Sequence, residues 1–241
     1  MSAMNDDDPD DLTGWSPPDP PAMTVLHGRT CRLEPMAPDR HAADLFAAFA
    51  AEEDEAGEWQ YLPYGPFADE GEYSEWLRTY GASGGRMFFA IVDAASGRPV
   101  GQASYQNVVP QHGTIEIGNI RFSVAMQRSV AATESIFLMM RHVFDAGYRR
   151  LEWKTHAHNA RSRRAAQRFG LSWEGRFRSH MVSRGRSRDT AWFACIDRDW
   201  PALETAFETW LDEANFDADG RQRRSLRELT APVLVATDEL A

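Results

Sequence analysis

Cysteine is scarce in this chain. Cys31 and Cys195 are its only two among 241 residues, which excludes a disulfide framework and a cysteine-only metal cluster and fits a reducing, cytoplasmic compartment. Long apolar runs are also missing: no stretch reaches the roughly 20 residues that span a bilayer. The first twenty residues are acidic and Pro-rich, without the basic-then-apolar pattern of a secretion signal. A soluble protein with no membrane partner is expected. Positive charge is in deficit, with 26 Lys+Arg against 36 Asp+Glu and a formal net charge of -10. That disfavours a generic nucleic-acid coat, so no direct nucleic-acid partner is expected. The deficit is uneven, because residues 121–200 carry 16 basic and 7 acidic groups. A basic segment inside an acidic protein suggests a local site for an anionic ligand, the alternative being an Arg-rich solvated surface.

What is present is enough apolar sequence, 43%, for one substantial core. Residues 1–21 read as a flexible acidic arm, 22–214 as a single domain and 215–241 as a tail with a short apolar patch, PVLVA. Within the domain, TVLHGRTCRLEP reads as a first strand closed by Pro35, and a helix follows from about Asp39, its plausible cap. The segment WQYLPYGPF is a turn-rich loop that either covers a pocket or plugs the core edge. Asp69 caps a second helix running through Trp76 and Leu77. Residues 87–93, 100–109 and 114–124 form an antiparallel meander, on short separations. The period then changes to a helix from Thr133 ended by Gly147, a strand at 149–157, a helix at about 162–169, two extended segments (172–181 and 189–196) and a last helix at about 201–214. This is a mixed α/β domain.

The junction between Val124 and the long helix carries AMQRSVAAT. First-turn amides at such a junction point outward and the helix dipole adds positive potential, so a pyrophosphate can bind there without a lysine, although most strand-to-helix junctions bind nothing. Ala131 and Ala132 leave the backbone approachable and Arg128 can add a charge-assisted contact. Three blocks now carry a resemblance: IEIGNIRFSVAMQRSVAATES, THAHNARSRRAAQRFGL and WEGRFRSHMVSRGRSRDTAWFACIDRDW. In this order they resemble the GNAT superfamily of acetyl-CoA-dependent N-acetyltransferases, most closely its ribosomal-protein N-terminal (RimJ/RimL-like) branch, over residues 24 to 212. The family loop is Arg/Gln-x-x-Gly-x-Gly/Ala. Here Gln127 and Ala132 match it, and Val130 stands for the central glycine. A β-branched residue does not readily take positive φ, so this loop must use ordinary helical angles there.

The resemblance implies a GNAT-like acyl-CoA N-acyltransferase fold, a mixed and mostly antiparallel sheet flanked by helices. It implies acetyl-CoA as cosubstrate, held by Gln127, Arg128, Ser129, Val130, Ala131, Ala132 and Thr133, with His156, Asn159, Ser162 and Arg164. The acetyl group would pass directly to a primary amine of a small molecule or of a peptide or protein N-terminus. Glu116 occupies the family's base position, acting through water, and shares strand parity with Gly118 and Ile120, whereas Ile115, Ile117 and Asn119 face the other way. Asn159 matches the family asparagine that contacts the pantetheine arm or orders the site. Ser162 lies near the sulfur as a proton donor and is also placed to cap the helix at 162. A CoA-binding regulatory protein without turnover is the rival function, and dimerisation is compatible with the branch.

Other constellations are weaker. His156 and His158 share a strand face but lack a third ligand with local spacing, so no metal is expected. NFDADGRQRRSL resembles a calcium loop but ends on Leu226 where a bidentate carboxylate is needed, and reads as an acidic turn. The Arg184–Arg188 hairpin can help shape an acceptor site, a surface turn rich in Arg being the equal alternative.

Overall fold

The computed structural model describes residues 11–50 and 58–239, and among them eight strands form one sheet. In chain order these are β1 (Leu26–His27), β2 (Cys31–Pro35), β3 (Met87–Asp93), β4 (Pro99–Val109), β5 (Thr114–Phe122), β6 (Arg150–His156), β7 (Ser172–Ser183) and β8 (Arg186–Ile196). Across the sheet the order is β1-β2-β3-β4-β5-β6-β8-β7, antiparallel except for the parallel β5–β6 pair. The flanking helices are α1 (Pro38–Ala50), α2 (Glu70–Trp76), α3 (Val130–Asp145), α4 (Ala160–Arg168), α5 (Trp200–Leu211) and α6 (Leu226–Thr230). The fold is thus mixed α/β with a mostly antiparallel central sheet.

The first expected strand is a hairpin instead. β1 pairs antiparallel with β2 around a turn at 28–30. The carboxylate of Glu134, on α3, accepts from the backbone N–H of Arg29, Thr30 and Cys31 at 2.8, 2.7 and 3.1 Å. A Cβ at Gly28 would lie 2.6 Å from that carboxyl carbon and 2.9 Å from Cys31 O, so a side chain there would displace the clasp. A partner more than a hundred residues away leaves no trace in local periodicity. α1 starts at Pro38, which places Asp39 in the first turn, where it pairs with Arg78. Asp69 does cap α2, with Oδ1 accepting from Glu72 N at 2.8 Å.

Two apolar clusters result. The larger lies between the sheet, α3 and α5 and includes Ile115, Ile117, Ile136, Phe193 and Phe207. The smaller packs Leu45, Phe49, Trp59, Tyr64, Tyr73 and Leu77 from α1, α2, the helical turn that follows α2 (Leu77–Gly81) and the 58–67 segment. That aromatic segment therefore plugs the core edge, through a single helical turn (Glu58–Tyr61) and a cis Gly65–Pro66 bond.

Residues 215–239 lie along the body. Leu226 is fully buried, Asp238 pairs with Arg163 of α4, and Trp173 N donates to Ala236 O at 3.0 Å. The patch PVLVA is split, with Val233 packed on the larger cluster and Val235 exposed. Asn215 and Asp217 are occupied by the turn's own backbone groups. Of the N-terminal arm, residues 1–10 lie outside the described residues, while the Trp15 ring sits 5.8 Å from the Arg149 guanidinium. Among the described residues no helix is long and apolar enough to cross a membrane.

Candidate active site

β5 and β6 pair only at Thr114–Glu116 with Arg150–Glu152. Beyond that point they diverge, and a cleft of about 290 Å³ opens between them. Two bulges shape it. In β5, Asn119 (φ 53°) and Ile120 together oppose Ala103 of β4, and in β4, Asn107 (φ 48°) and Val108 oppose Ile115. Asparagine is among the few non-glycine residues that adopt left-handed angles readily. The β5 bulge reverses the alternation read from sequence. Asn119 joins Glu116's side, with Nδ2 donating to Ser104 Oγ and Gln106 Oε1, while Ile120 packs on the larger cluster. The cleft is consequently walled from both faces of the sheet. Trp153, Thr155, Ser162 and Phe169 line it on the α4 side, and Tyr61, Leu62, Lys154 and Arg188 on the other.

Glu116 sits behind this wall, 1% exposed. Its Oε1 accepts from Gln106 Nε2 at 2.6 Å, and its Oε2 accepts from Asn107 Nδ2 at 2.6 Å and from Lys154 Nζ at 2.8 Å. Burial pushes the carboxyl above its ordinary value, against the pull of the Lys154 charge and the two amides. Gly118 lines the cleft next to it, and a Cβ there would come within 2.5 Å of Gln106 Nε2. Lys154, the single lysine of the chain, also sits 5.1 Å from the Trp192 ring centre.

Two helices start beside the cleft, α3 after Gln127 and α4 after Asn159, both of which line it, whereas residues 128–133 lie outside its lining. In α3, Ser129 is the cap, its Oγ accepting from Ala132 N at 3.1 Å. Val130 is the first helical residue and keeps ordinary angles, because the left-handed position falls on Arg128 (φ 61°). The Val130 and Ala131 amides have no intrahelical partner at such a start. Gln127 lines the cleft immediately before them, and Thr133 Oγ1 accepts two bonds from Arg168, both 3.1 Å. α4 begins two residues earlier than expected. Its cap is therefore Asn159, whose Oδ1 accepts from Ser162 N at 3.1 Å, and not Ser162. The freed Ser162 hydroxyl accepts from Trp153 Nε1 at 3.0 Å, and both Asn159 and Ser162 line the cleft.

The other expected positions are dispersed. Arg161 lines the cleft, Arg164 is exposed outside its lining, and Arg163 is committed to Asp238 and to Ala157 O. His156 ends β6 and His158 lies in the turn beyond, so they do not share a strand face. Instead His156 Nδ1 accepts from His158 N at 3.0 Å. Burial, and then Arg188, lower the His156 pKa. Among the described residues no group of three or more His, Cys, Asp or Glu is placed to hold a metal.

Known proteins are similar to this chain in sequence and fold. The profile of the acetyltransferase (GNAT) domain matches residues 31–172. The chain belongs to the GNAT family of acetyltransferases. A GCN5-related N-acetyltransferase from Brucella melitensis is 43% identical, covering 91% of this chain and 100% of its own, with a TM-score of 0.87. A probable acetyltransferase of the GNAT family from Chromobacterium violaceum ATCC 12472 is 38% identical over 79% of this chain and 95% of its own, TM-score 0.74. A ribosomal L7/L12 α-N-protein acetyltransferase, RimL, is 19% identical over 71% of this chain and 93% of its own, TM-score 0.59, and shares the fold. No curated protein matches the chain.

The residues present fit the acetyl-CoA that a GNAT acetyltransferase uses. Past Glu116 and Glu152 the facing edges of β5 and β6 are not paired with each other, which suits an extended amide-bearing chain lying between them. Lys154, Asn107 and Gln106 were beyond sequence reasoning, although a lone lysine in a strand among 25 arginines is a signal that points to it. Arg184 was legible only as part of a basic turn. In the structure it crosses to the aromatic segment and donates to the carbonyls of Trp59, Leu62, Tyr64 and Gly65 at 2.7–3.2 Å.

Proposed function

We propose that this GNAT acetyltransferase moves an acetyl group from acetyl-CoA directly to a primary amine, on a small molecule or a peptide N-terminus. The observation that carries the reading is the cleft's construction through the sheet, with one wall on the α4 face and the other on the aromatic-segment face, so that two substrates reach one point from opposite sides. Acetyl-CoA supplies the activated thioester. The Gln127–Thr133 junction holds its phosphates, with free first-turn amides, the helix dipole and Arg128. Asn159 orders the arm of the cosubstrate as it caps α4. Glu116, acting through a water, takes the amine's proton on Oε1, which accepts only the Gln106 bond. Ser162 Oγ accepts from Trp153, so its own hydrogen is free to be donated to the departing sulfur. Within the family we place the chain in the ribosomal-protein branch, on the closing hairpin motif WEGRFRSHMVSRGRSRDTAWFACIDRDW.

Calorimetric titration with acetyl-CoA and CoA, followed by thiol release against a panel of amines and peptides, tests the reading. Binding with turnover is expected. Binding without turnover would point to an acceptor outside the panel or to the regulatory rival, and absence of binding at millimolar cosubstrate would overturn both.

A further inference from the structure

We infer that the acceptor amine carries a carboxylate and that Arg188 binds it. This rests on the acetyltransferase reading above and narrows its acceptor class.

Arg188 lies near the start of β8 and lines the cleft on the same wall as Tyr61, Leu62 and Lys154. Its Nε is buried without a hydrogen-bond partner. Among the described residues no carboxylate forms an ion pair with it, and Glu116 acts on it only at longer range. The neighbouring cations are committed elsewhere: Lys154 to Glu116, Arg176 to Asp189, and Arg184 to the backbone carbonyls of the aromatic segment. Glu116 already has an ammonium and two amides on its oxygens. The group of Glu116, Lys154 and Arg188 therefore presents one positive charge to the cleft that no described residue answers.

A part-buried guanidinium left without a partner is unfavourable, and burial does hold its pKa below the ordinary value. Its planar fork matches a carboxylate in a bidentate fashion. The wall that brings the amine towards Glu116 is also the wall that carries Arg188, so one small molecule can meet both. Free α-amino acids and peptides that begin with Asp or Glu share this chemistry.

Two matched pairs of product analogues separate the sources: N-acetylglycine against N-acetylglycinamide, and a short amidated peptide beginning N-acetyl-Glu against one beginning N-acetyl-Gln. Each is titrated calorimetrically into the CoA-saturated full chain, as wild type, Arg188→Gln and Arg188→Lys. The corresponding free amines are compared as substrates. For at least one pair the acid should bind about tenfold or more tightly than its amide. Arg188→Gln should bring that ratio to near one, Arg188→Lys should keep part of it, and both should retain wild-type CoA affinity. The glycine pair responding alone names an amino acid, and the peptide pair alone an acidic N-terminus. Equal binding of acid and amide, binding of neither, or an acid preference that survives Arg188→Gln overturns the inference. So does a parallel loss of CoA affinity, which would place Arg188 on the cosubstrate wall. A failed acetyltransferase reading shows separately, as absent CoA binding or thiol release while the acid preference stands.

Discussion

The two walls of the cleft are built differently. On the α4 side, Trp153, Phe169 and Ile117 are outposts of the large cluster, set by regular strands and helices. On the other side, Tyr61 and Leu62 belong to a segment with little regular structure. It is held by packing of Trp59, Tyr64 and Phe67 among rings of α1 and α2, and by one arginine from a distant hairpin. The first wall is part of what makes the domain fold, and the second is attached to it. Stability and cosubstrate binding should therefore follow the first, acceptor binding the second.

The sharpest way to break that division is to truncate one ring in each region. Phe207 is fully buried and stacks on Phe137 at 5.3 Å, so Phe207→Ala should cost about 3–5 kcal/mol, read as a fall in the urea midpoint. Trp59 is 8% exposed, and Arg121 lies over its ring at 3.7 Å. Trp59→Ala should cost less stability but raise the acceptor KM, with acetyl-CoA affinity retained. Equal damage to both substrates in Trp59→Ala would show that the walls are not separable.

Next in size is Glu116→Gln, which keeps the shape and removes the carboxylate. A positioned base contributes about a hundredfold or more, so kcat should fall by that order while acetyl-CoA binding persists. Because burial raises the Glu116 pKa, its charged form appears at higher pH than in an ordinary glutamate. The wild-type rate should rise with pH along a limb displaced upward from the usual carboxylate range, and the limb should vanish in the variant. The folded state also holds this proton longer than the unfolded one. Its contribution to stability should therefore diminish as pH rises from the unfolded carboxyl value through the raised one. A retained limb in Glu116→Gln would move the base elsewhere.

The same division marks what the sequence discloses. The meander, α3 and the Asp69 cap were legible because their signals are periodic or lie within three residues. The cleft-facing Gln127, Asn159 and Ser162 were placed by motif resemblance. Strict alternation failed at Asn119, since a bulge adds one residue and flips every side chain after it. The Glu134 turn clasp, the Arg163–Asp238 pair and the Arg184 bonds join residues 75 to 125 positions apart, and no local pattern encodes such partners. Only the Arg184 bonds bear on the aromatic segment, and without them the sequence leaves that segment as either a cover or a plug.

Arg184→Ala tests the attachment itself. It removes the side chain's bonds to four backbone carbonyls of the aromatic segment while leaving every apolar side chain of both clusters in place. An acceptor KM raised about tenfold, equivalent to roughly 1.4 kcal/mol, is expected, with little change in melting temperature or acetyl-CoA affinity. An unchanged KM would mean that ring packing and the bond from Tyr61 Oη to His158 O hold this segment in place without Arg184.

The smallest effect is expected at Val130, where the chain departs from the family loop. If the missing glycine impaired the phosphate junction, Val130→Gly would tighten acetyl-CoA binding. The structure argues otherwise, because Val130 is the first residue of α3 and the left-handed angle is carried by Arg128. A glycine at Val130 relieves nothing, so acetyl-CoA affinity should stay within about threefold, a difference below roughly 1 kcal/mol. Arg128→Gly is the counterpart. A left-handed angle costs an L-residue about 1–2 kcal/mol, part of which glycine returns through the greater freedom of the unfolded chain. That variant should melt no lower than wild type while binding acetyl-CoA more weakly, having lost a charge at the phosphate junction. Tighter binding in Val130→Gly, or undiminished binding in Arg128→Gly, would reverse the roles assigned to these two neighbours and move the weak point of the cosubstrate wall to Val130.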